Sequence, residues 1–438
     1  MNAVFLAIVF IAFLVGGYHQ VNWVPAAPDS VSPMAALTTA MVESAGGSVT
    51  LAIGLVGMMA LFLGLMKVAE AGGLLTIIAK TLRPLMVRAF PDVPADHPAM
   101  GAMILNLSAN ALGLANAATP FGIRAMQELD TLNPVKGTAT NAMALFLAIN
   151  TSSVTLLPTG VIALRASAGS SDPAGILSTT LFATCMSTVA AFVAVKVYQR
   201  FSAIEAAGPH GPAVRADAEA PAPAADTPDV SAEASTGAYP MWVSATALAA
   251  VIGLIPLAVV YGQTISPWII PGLMVALLGF GAARGVRVYE VFVDGARDGF
   301  NVALRIIPYL VAILVAVAMF RASGALEILV GLLTPVTSPL GLPAEALPMA
   351  LMRPLSGSGA YGILASIIQN PAIGPDSYTG YLVSTIQGST ETTFYVLAVY
   401  YGAVQVRRIR HTLAAALTAD LAGIAGSVIA CSYLYGGR

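Results

Sequence analysis

Long apolar runs separated by short polar breaks set the outline of this chain. They fall near residues 3–17, 48–66, 98–130, 137–166, 174–198, 240–260, 264–283, 301–320, 345–370, 378–402 and 409–435. A helix crossing the hydrocarbon core of a bilayer needs about 20 residues, so most of these runs predict membrane helices. Four of them carry polar clusters in their interiors. The first two are Asn106-Leu-Ser108-Ala-Asn110 with Asn116, then Asn150-Thr-Ser152-Ser153-Val-Thr155. The other two are Ser356-Gly-Ser358-Gly359, then Gln387-Gly-Ser389-Thr390-Glu391-Thr-Thr393. Hydrocarbon offers no hydrogen-bond partner, so an unpaired amide or hydroxyl there is costly. Such groups persist where they face a protein interior or a water-filled cavity, and they mark binding sites in broken transporter helices.

Composition agrees with a polytopic all-α membrane protein. The chain is 57 % hydrophobic and 10 % charged, with a mean hydropathy of +0.81, whereas soluble domains carry about 25 % charged residues. Net charge is −2, and no basic domain suggests nucleic acid as a partner; the lipid bilayer is the expected surroundings. Cys185 and Cys431 both lie in apolar runs and the four histidines are scattered, which argues against a disulfide framework or a metal centre. No Ser–His or Ser–Lys pair and no cofactor fingerprint stands out, so an enzyme is not expected. Residues 1–17 lack a preceding Lys or Arg and a close small-x-small cleavage site, and read as an uncleaved span rather than a signal peptide.

Residues 203–238 are Ala, Pro and acidic residues with few large hydrophobics, and predict a disordered linker on the cytoplasmic side. It separates two halves that match weakly. Ala71-Gly-Gly-Leu74 aligns with Ser323-Gly-Ala-Leu326, Asn106–Asn110 with Pro354–Ser358, and Ile149–Ser153 with Ile386–Thr390, the offset drifting from 252 to 237. Three matches in one order indicate an internal duplication.

Lys and Arg favour the cytoplasmic side of short loops. Lys196 and Arg200 therefore place the linker inside, as Lys67, Lys80, Arg83 and Arg88 do the start of the first copy. An outward span at 240–260 and a return at 264–283 put Arg284, Arg287 and Arg297 inside, so the second copy begins outside. The repeats are thus expected to be inverted, with 98–130 and 345–370 as re-entrant helical hairpins. The expected layout is about nine full spans plus two hairpins, N-terminus inside and C-terminus outside. It comprises N-terminal spans (1–66), a first repeat (67–202), the linker (203–238), connecting spans (239–300) and a second repeat (301–438). Segments 70–90 and 324–340 read as helices lying in the interface.

The polar clusters have two readings. Asn106, Ser108, Asn110 and Asn116 either satisfy the backbone at a hairpin tip or face a ligand. Ser and Thr in membrane helices often bond back to the preceding turn, which weakens each hydroxyl taken alone. Arg353 either snorkels or pairs with a carboxylate. Glu391, in mid-span, must be protonated, paired or coordinating a cation. Asp420, about ten residues into the last run, is either a packing partner or a proton site.

The stretch from Asn106 to Gly122, with Asn150-Thr-Ser-Ser and Leu-Leu-Pro158, resembles the A-type half of the spore maturation branch of the gate (nucleoside-recognition) superfamily. Pro354-Leu-Ser-Gly-Ser-Gly with Gly388-Ser-Thr-Glu-Thr-Thr393 resembles its B-type half. The resemblance implies a layout similar to the concentrative nucleoside transporters: interfacial helix, hairpin, broken span and final span, present twice in opposite orientation. It implies a solute site built from Asn106, Ser108, Asn110, Asn116, Asn150, Ser152, Ser153, Ser356, Ser358, Gln387, Ser389 and Thr390. Glu391 and Asp420 are left for coupling to Na+ or H+. No carboxylate stands in the first broken span opposite Glu391. The expected function is secondary transport of a small polar solute, nucleoside-like or a small organic acid, across a bacterial inner membrane, with homo-oligomerisation by analogy. The alternative is a non-transporting membrane factor in spore or envelope maturation.

Overall fold

The computed structural model describes residues 2–25, 30–113, 115–152, 154–202 and 238–436, and every regular element among them is helical. Apart from its last residue, the linker predicted at 203–238 lies outside the described residues.

Helix α1 (Asn2–Val21) is followed by α2 (Pro33–Ala71). Ser32 accepts from the Ala35 amide and Pro33 takes the first helical position, so α2 begins well before the apolar run at 48–66. Gly73, at φ 84°, turns the chain into α3 (Leu74–Ala89). Next, α4 (Pro98–Ala111) and α5 (Ala115–Thr131) form the expected first hairpin. Gly113 sits between them at φ 76°, and a Cβ there would also lie 2.7 Å from the Leu157 carbonyl oxygen, so only glycine fits this turn. Then α6 (Asn141–Thr151) and α7 (Thr159–Ser167) are the halves of a broken span interrupted before Pro158. The first half of the chain closes with α8 (Ile176–Tyr198).

Beyond the linker, α9 (Met241–Ala283) is helical along the whole stretch for which two spans and a turn near 261–263 are expected. At 43 residues a straight helix would be about 64 Å long. Yet Ser244 Oγ donates to the Thr81 carbonyl at 2.6 Å while Phe280 packs on Gly72, so both ends of α9 return to α2 and α3. Its path therefore bends, and Pro256, Pro267 and Pro271 each remove a backbone bond that would oppose bending.

Helix α10 (Val288–Ala322) starts well before the predicted run at 301–320. Its first turns mix charge with Phe292, Gly295 and Gly299, and the two glycines admit α2 closely: Cβ atoms there would meet Leu63 O at 2.7 Å and Met59 O at 2.6 Å. This small-residue contact holds α2 and α10 antiparallel, with Gly64 against Phe292. Gly324, at φ 82°, then bends the chain by 79° into α11 (Ala325–Thr337). The second hairpin is α12 (Leu347–Met352) with α13 (Gly357–Ile368), and the second broken span is α14 (Tyr378–Ser389) with α15 (Thr393–Ala403). The final helix, α16 (Thr412–Tyr435), runs antiparallel to α8: Tyr198 meets Thr418 at 3.1 Å, and Tyr435 donates to the Gly175 carbonyl at 2.8 Å.

Among the described residues three helices are long and apolar enough to cross a bilayer unaided, α2, α8 with its short extension to Phe201, and α16; the bent pair α10–α11 makes a fourth. The broken spans fail that length test because each half has only 9 to 12 residues. Besides a small cluster of Ala12, Leu37 and Met319, the buried core has two large parts, and each mixes the halves of the chain. One packs α4–α6 with Val396, Leu397 and Tyr400 of α15; the other packs Val161 to Leu164 of α7 with α13 and α14. The broken helices cross where these two cores meet.

Candidate functional site

The crossing is joined through backbone. The Glu391 amide, in the α14–α15 break, donates to the Thr151 carbonyl at the end of α6 at 2.7 Å. Each break is also tied to the hairpin of its own half. Leu156 N donates to Ala111 O at 3.1 Å, and Phe394 N donates to Pro354 O at 3.1 Å. A broken helix frees such groups because the last carbonyls and first amides of each half have no intrahelical partner.

A cavity of about 210 Å³ opens at this crossing. The first half supplies Asn110, Thr155, Pro158 and Thr159, and the second supplies Arg353, Tyr361, Gln387, Glu391 and Thr392. The starts of α7 and α13, at Thr159 and Gly357, both reach it, adding the partial positive charge of helix N-termini. Arg353 is buried. Its Nη1 donates to Thr392 Oγ1 at 3.1 Å, its Nη2 donates to the Thr390 carbonyl, and Nη2 lies 3.7 Å from Glu391 Oε2. Of the two readings of Arg353, the pairing with a carboxylate is the one found. Arg353 Nε and Gln387 Oε1, buried atoms of two lining residues, have no partner among the described residues. The wall presents a half-exposed carboxylate, the Glu391 side chain being 44 % accessible.

The asparagines form a chain of amides behind the cavity. Asn110 Nδ2 donates to Asn150 Oδ1 at 3.2 Å, and Asn150 Nδ2 donates to Asn106 Oδ1. Asn106 Nδ2 then donates to Ala118 O at 2.7 Å and to Tyr400 Oη at 3.2 Å. The chain joins both arms of the first hairpin to α6, and through Tyr400 to the other half. Only Asn110 of the three reaches the cavity.

The hydroxyls behave differently. Ser108 donates to Ile104 O at 2.7 Å, Ser152 to Ala148 O at 2.8 Å, and Ser389 to Ile386 O at 2.9 Å, so these buried groups are taken up by their own helices. Ser356 caps α13 by accepting from Gly359 N at 3.0 Å, and Ser358 lies 3.5 Å from it. The Thr390 carbonyl serves Arg353. Asp420, buried on α16, accepts from Thr393 Oγ1 at 2.7 Å through Oδ2, while its Oδ1 has no partner among the described residues. Ser153 and the side chain of Asn116 lie outside the described residues. Sequence reasoning did not place Tyr361, Thr155 or Pro158 at the site. A proline closing a polar break was the one available signal for Pro158; a tyrosine in an apolar helix gave none.

The two ends of the molecule are closed by paired loops. At one end Arg408 bridges to Thr138, and Arg410 Nη1 donates to Ala139 O and Asn141 Oδ1, each at 3.0 Å. At the other, Asp376 accepts from Ser170 Oγ at 2.5 Å and from Ser171 N and Oγ at 2.7 Å, and pairs with the buried Arg165 at 3.1 Å. Burial alone would raise the Asp376 carboxyl, but these bonds and the Arg165 charge outweigh it and hold the group below the usual carboxylate range.

Comparison with known proteins accords with this geometry. Spore maturation protein B of Bacillus subtilis (strain 168) is 46 % identical over 167 residues, covering 38 % of this chain and 93 % of its own length. Spore maturation protein A of the same organism is 44 % identical over 154 residues, covering 35 % of this chain and 79 % of its own. Inner membrane protein YjiG of Escherichia coli (strain K12) is 35 % identical over 82 residues, 18 % of this chain and 54 % of its own. No solved structure matches significantly. The nucleoside-recognition gate family matches residues 52–168 and 303–407, which together make up just over half of the sequence and contain both hairpins and both breaks. This helical membrane protein therefore belongs to the nucleoside-recognition gate family.

Proposed function

We propose that this protein is a secondary transporter of a small polar solute, bound in the cavity where the two broken helices cross. The observation that carries this reading is the wall of that cavity, where Asn110 of the first half meets Arg353, Gln387 and the half-exposed Glu391 of the second. Arg353 and Glu391 balance in charge, which favours a neutral or zwitterionic solute, nucleoside-like in its mixed donors and acceptors, over a small organic acid. Glu391, and Asp420 behind the break, are the groups offered for coupling to H+ or Na+.

Two inverted halves suit alternating access, in which one site is reached from each face in turn. The antiparallel pairs α2 with α10 and α8 with α16, the left-handed Gly73 and Gly324, and the matched bonds from each break to its hairpin all support that arrangement. Lys136, Lys196, Arg200, Arg407, Arg408 and Arg410 gather at one end, which by the positive-inside rule is cytoplasmic and leaves α16 ending outside. The second reading, a non-transporting factor in spore or envelope maturation, is favoured by the names of the two Bacillus relatives. Purified protein in liposomes, screened with labelled nucleosides, nucleobases and dicarboxylates, separates the two. Uptake abolished by Glu391→Gln supports transport, whereas no uptake of any class above empty liposomes supports the maturation factor.

A further inference from the structure

A second cavity, about 420 Å³, lies under α11, between α10 and the hairpin α12–α13. Its walls are apolar, with Phe320, Leu329, Leu333, Leu351, Ile363 and Ile367 among them, and Leu351 is 65 % accessible, so the space opens laterally. Helix α11 meets α10 at 79° just where α10 ends, so it lies across the helix bundle as an interfacial helix does. Charge is confined to three lining groups. Arg321 is half-buried and donates to Ser366 Oγ at 3.2 Å, with no carboxylate in ion-pair range among the described residues. Glu327 and Glu345 are exposed and line the same cavity.

We propose that this cavity binds one phospholipid with a zwitterionic, primary-amine headgroup of the phosphatidylethanolamine type. The acyl chain lies beneath α11, where water would find only apolar walls. The phosphate meets Arg321, whose guanidinium has four donors beyond the one given to Ser366. The ammonium meets Glu327 and Glu345. A purely anionic headgroup would face those two carboxylates without compensation, and a quaternary amine could not donate to them. Met352 and Leu355 line this cavity on either side of Arg353, which faces the solute cavity instead. The lipid thus backs the hairpin turn that carries Arg353 to the site. Lipid binding is read without any solute, so it stands or falls apart from transport.

The test is native mass spectrometry of the full chain released from detergent, after incubation with equimolar phosphatidylethanolamine, phosphatidylglycerol and phosphatidylcholine. One phosphatidylethanolamine should be retained in preference by about tenfold, the order expected for a charge-assisted hydrogen bond. Arg321→Gln should abolish the preference while leaving apolar retention. Leu329→Trp should fill the cavity and remove bound lipid of every class, with the monodisperse peak on size exclusion unchanged as evidence of folding. Equal retention of the three lipids, or a preference unmoved by Arg321→Gln, overturns the proposal. So does disulfide cross-linking of Leu351→Cys between two copies in lipid-free protein, because that makes the cavity a subunit interface.

Discussion

Arg165 gives the most quantitative handle on how the halves are held together. It has no exposed surface and reaches from α7 to both loops at its end of the molecule. Its Nη1 donates to Pro375 O at 2.6 Å and Ser384 Oγ at 3.3 Å, and its Nη2 donates to Ser170 Oγ and Asp172 O at 3.2 Å and to Asp376 Oδ1 at 3.1 Å. The guanidinium also lies 4.2 Å above the Tyr381 ring, which stacks on Tyr435 at 3.7 Å. Arg165→Met keeps the stem and removes the fork. Breaking a buried pair by removing one partner costs about 3–5 kcal/mol, much of it from the group left behind. Asp376 is 31 % accessible and keeps its three bonds from Ser170 and Ser171, so it rehydrates and the cost falls to about 3 kcal/mol. Asp376→Asn keeps part of the geometry and should cost about 1 kcal/mol. In reversible unfolding with mixed detergent micelles, the double variant should be less destabilised than the two single variants together, by about 1–2 kcal/mol. Additivity within about 0.5 kcal/mol, or an Arg165→Met cost under about 1 kcal/mol, would refute the claim that this cluster clamps the loops.

Asp376 also makes the clamp acid-sensitive. Its carboxyl lies lower in the folded state than in the unfolded chain, so its contribution is complete above about pH 4 and is lost as pH falls through the folded value, a trend that thermal unfolding of Asp376→Asn should lack. His411, just before α16, titrates in another window. Burial, then the Arg410 charge, push it down to about 4, so below its unfolded value of about 6.5 the unfolded chain takes up a proton that the folded one refuses. Stability should therefore decline from about pH 6.5 towards 4, and His411→Leu should flatten that decline; an unchanged slope would contradict it. A third expectation concerns Gly122: a Cβ there would lie 2.3 Å from Tyr400 Oη, which is tethered to Asn106. Gly122→Ala should cost about 1–3 kcal/mol and perturb the near-ultraviolet signal of the tyrosines, and wild-type unfolding with unchanged tyrosine spectra would count against the tether.

Much of the architecture was legible because membrane length and polarity are direct physical constraints. The polar breaks at Asn150–Thr155 and Gln387–Thr393 located both helix crossings, and the hairpins followed from the runs that precede them. The extents of α2 and α10 were not legible. Their ends are decided by the Ser32 cap and by Gly295 and Gly299 packing against the partner helix, which hydropathy does not record. Of the residues singled out in the sequence, Asn110, Gln387 and Glu391 line the cavity and most of the others turn away from it. Ser108, Ser152 and Ser389 look like ligands in sequence, yet each satisfies a carbonyl one turn back. Tyr361 acquires meaning only once the second hairpin is set against α7, where its hydroxyl meets Gly160.

The central claim is that a solute reaches one cavity from both sides of the membrane. Single cysteines at positions 110, 155 and 392, in a background lacking Cys185 and Cys431, can be labelled with a membrane-impermeant maleimide from either face of oriented vesicles. The account predicts that all three react from both faces, each at a fraction of the rate of an exposed control such as Leu132→Cys, because the cavity opens to one side at a time. Uniform inaccessibility from both faces, with the control labelling normally, would contradict it.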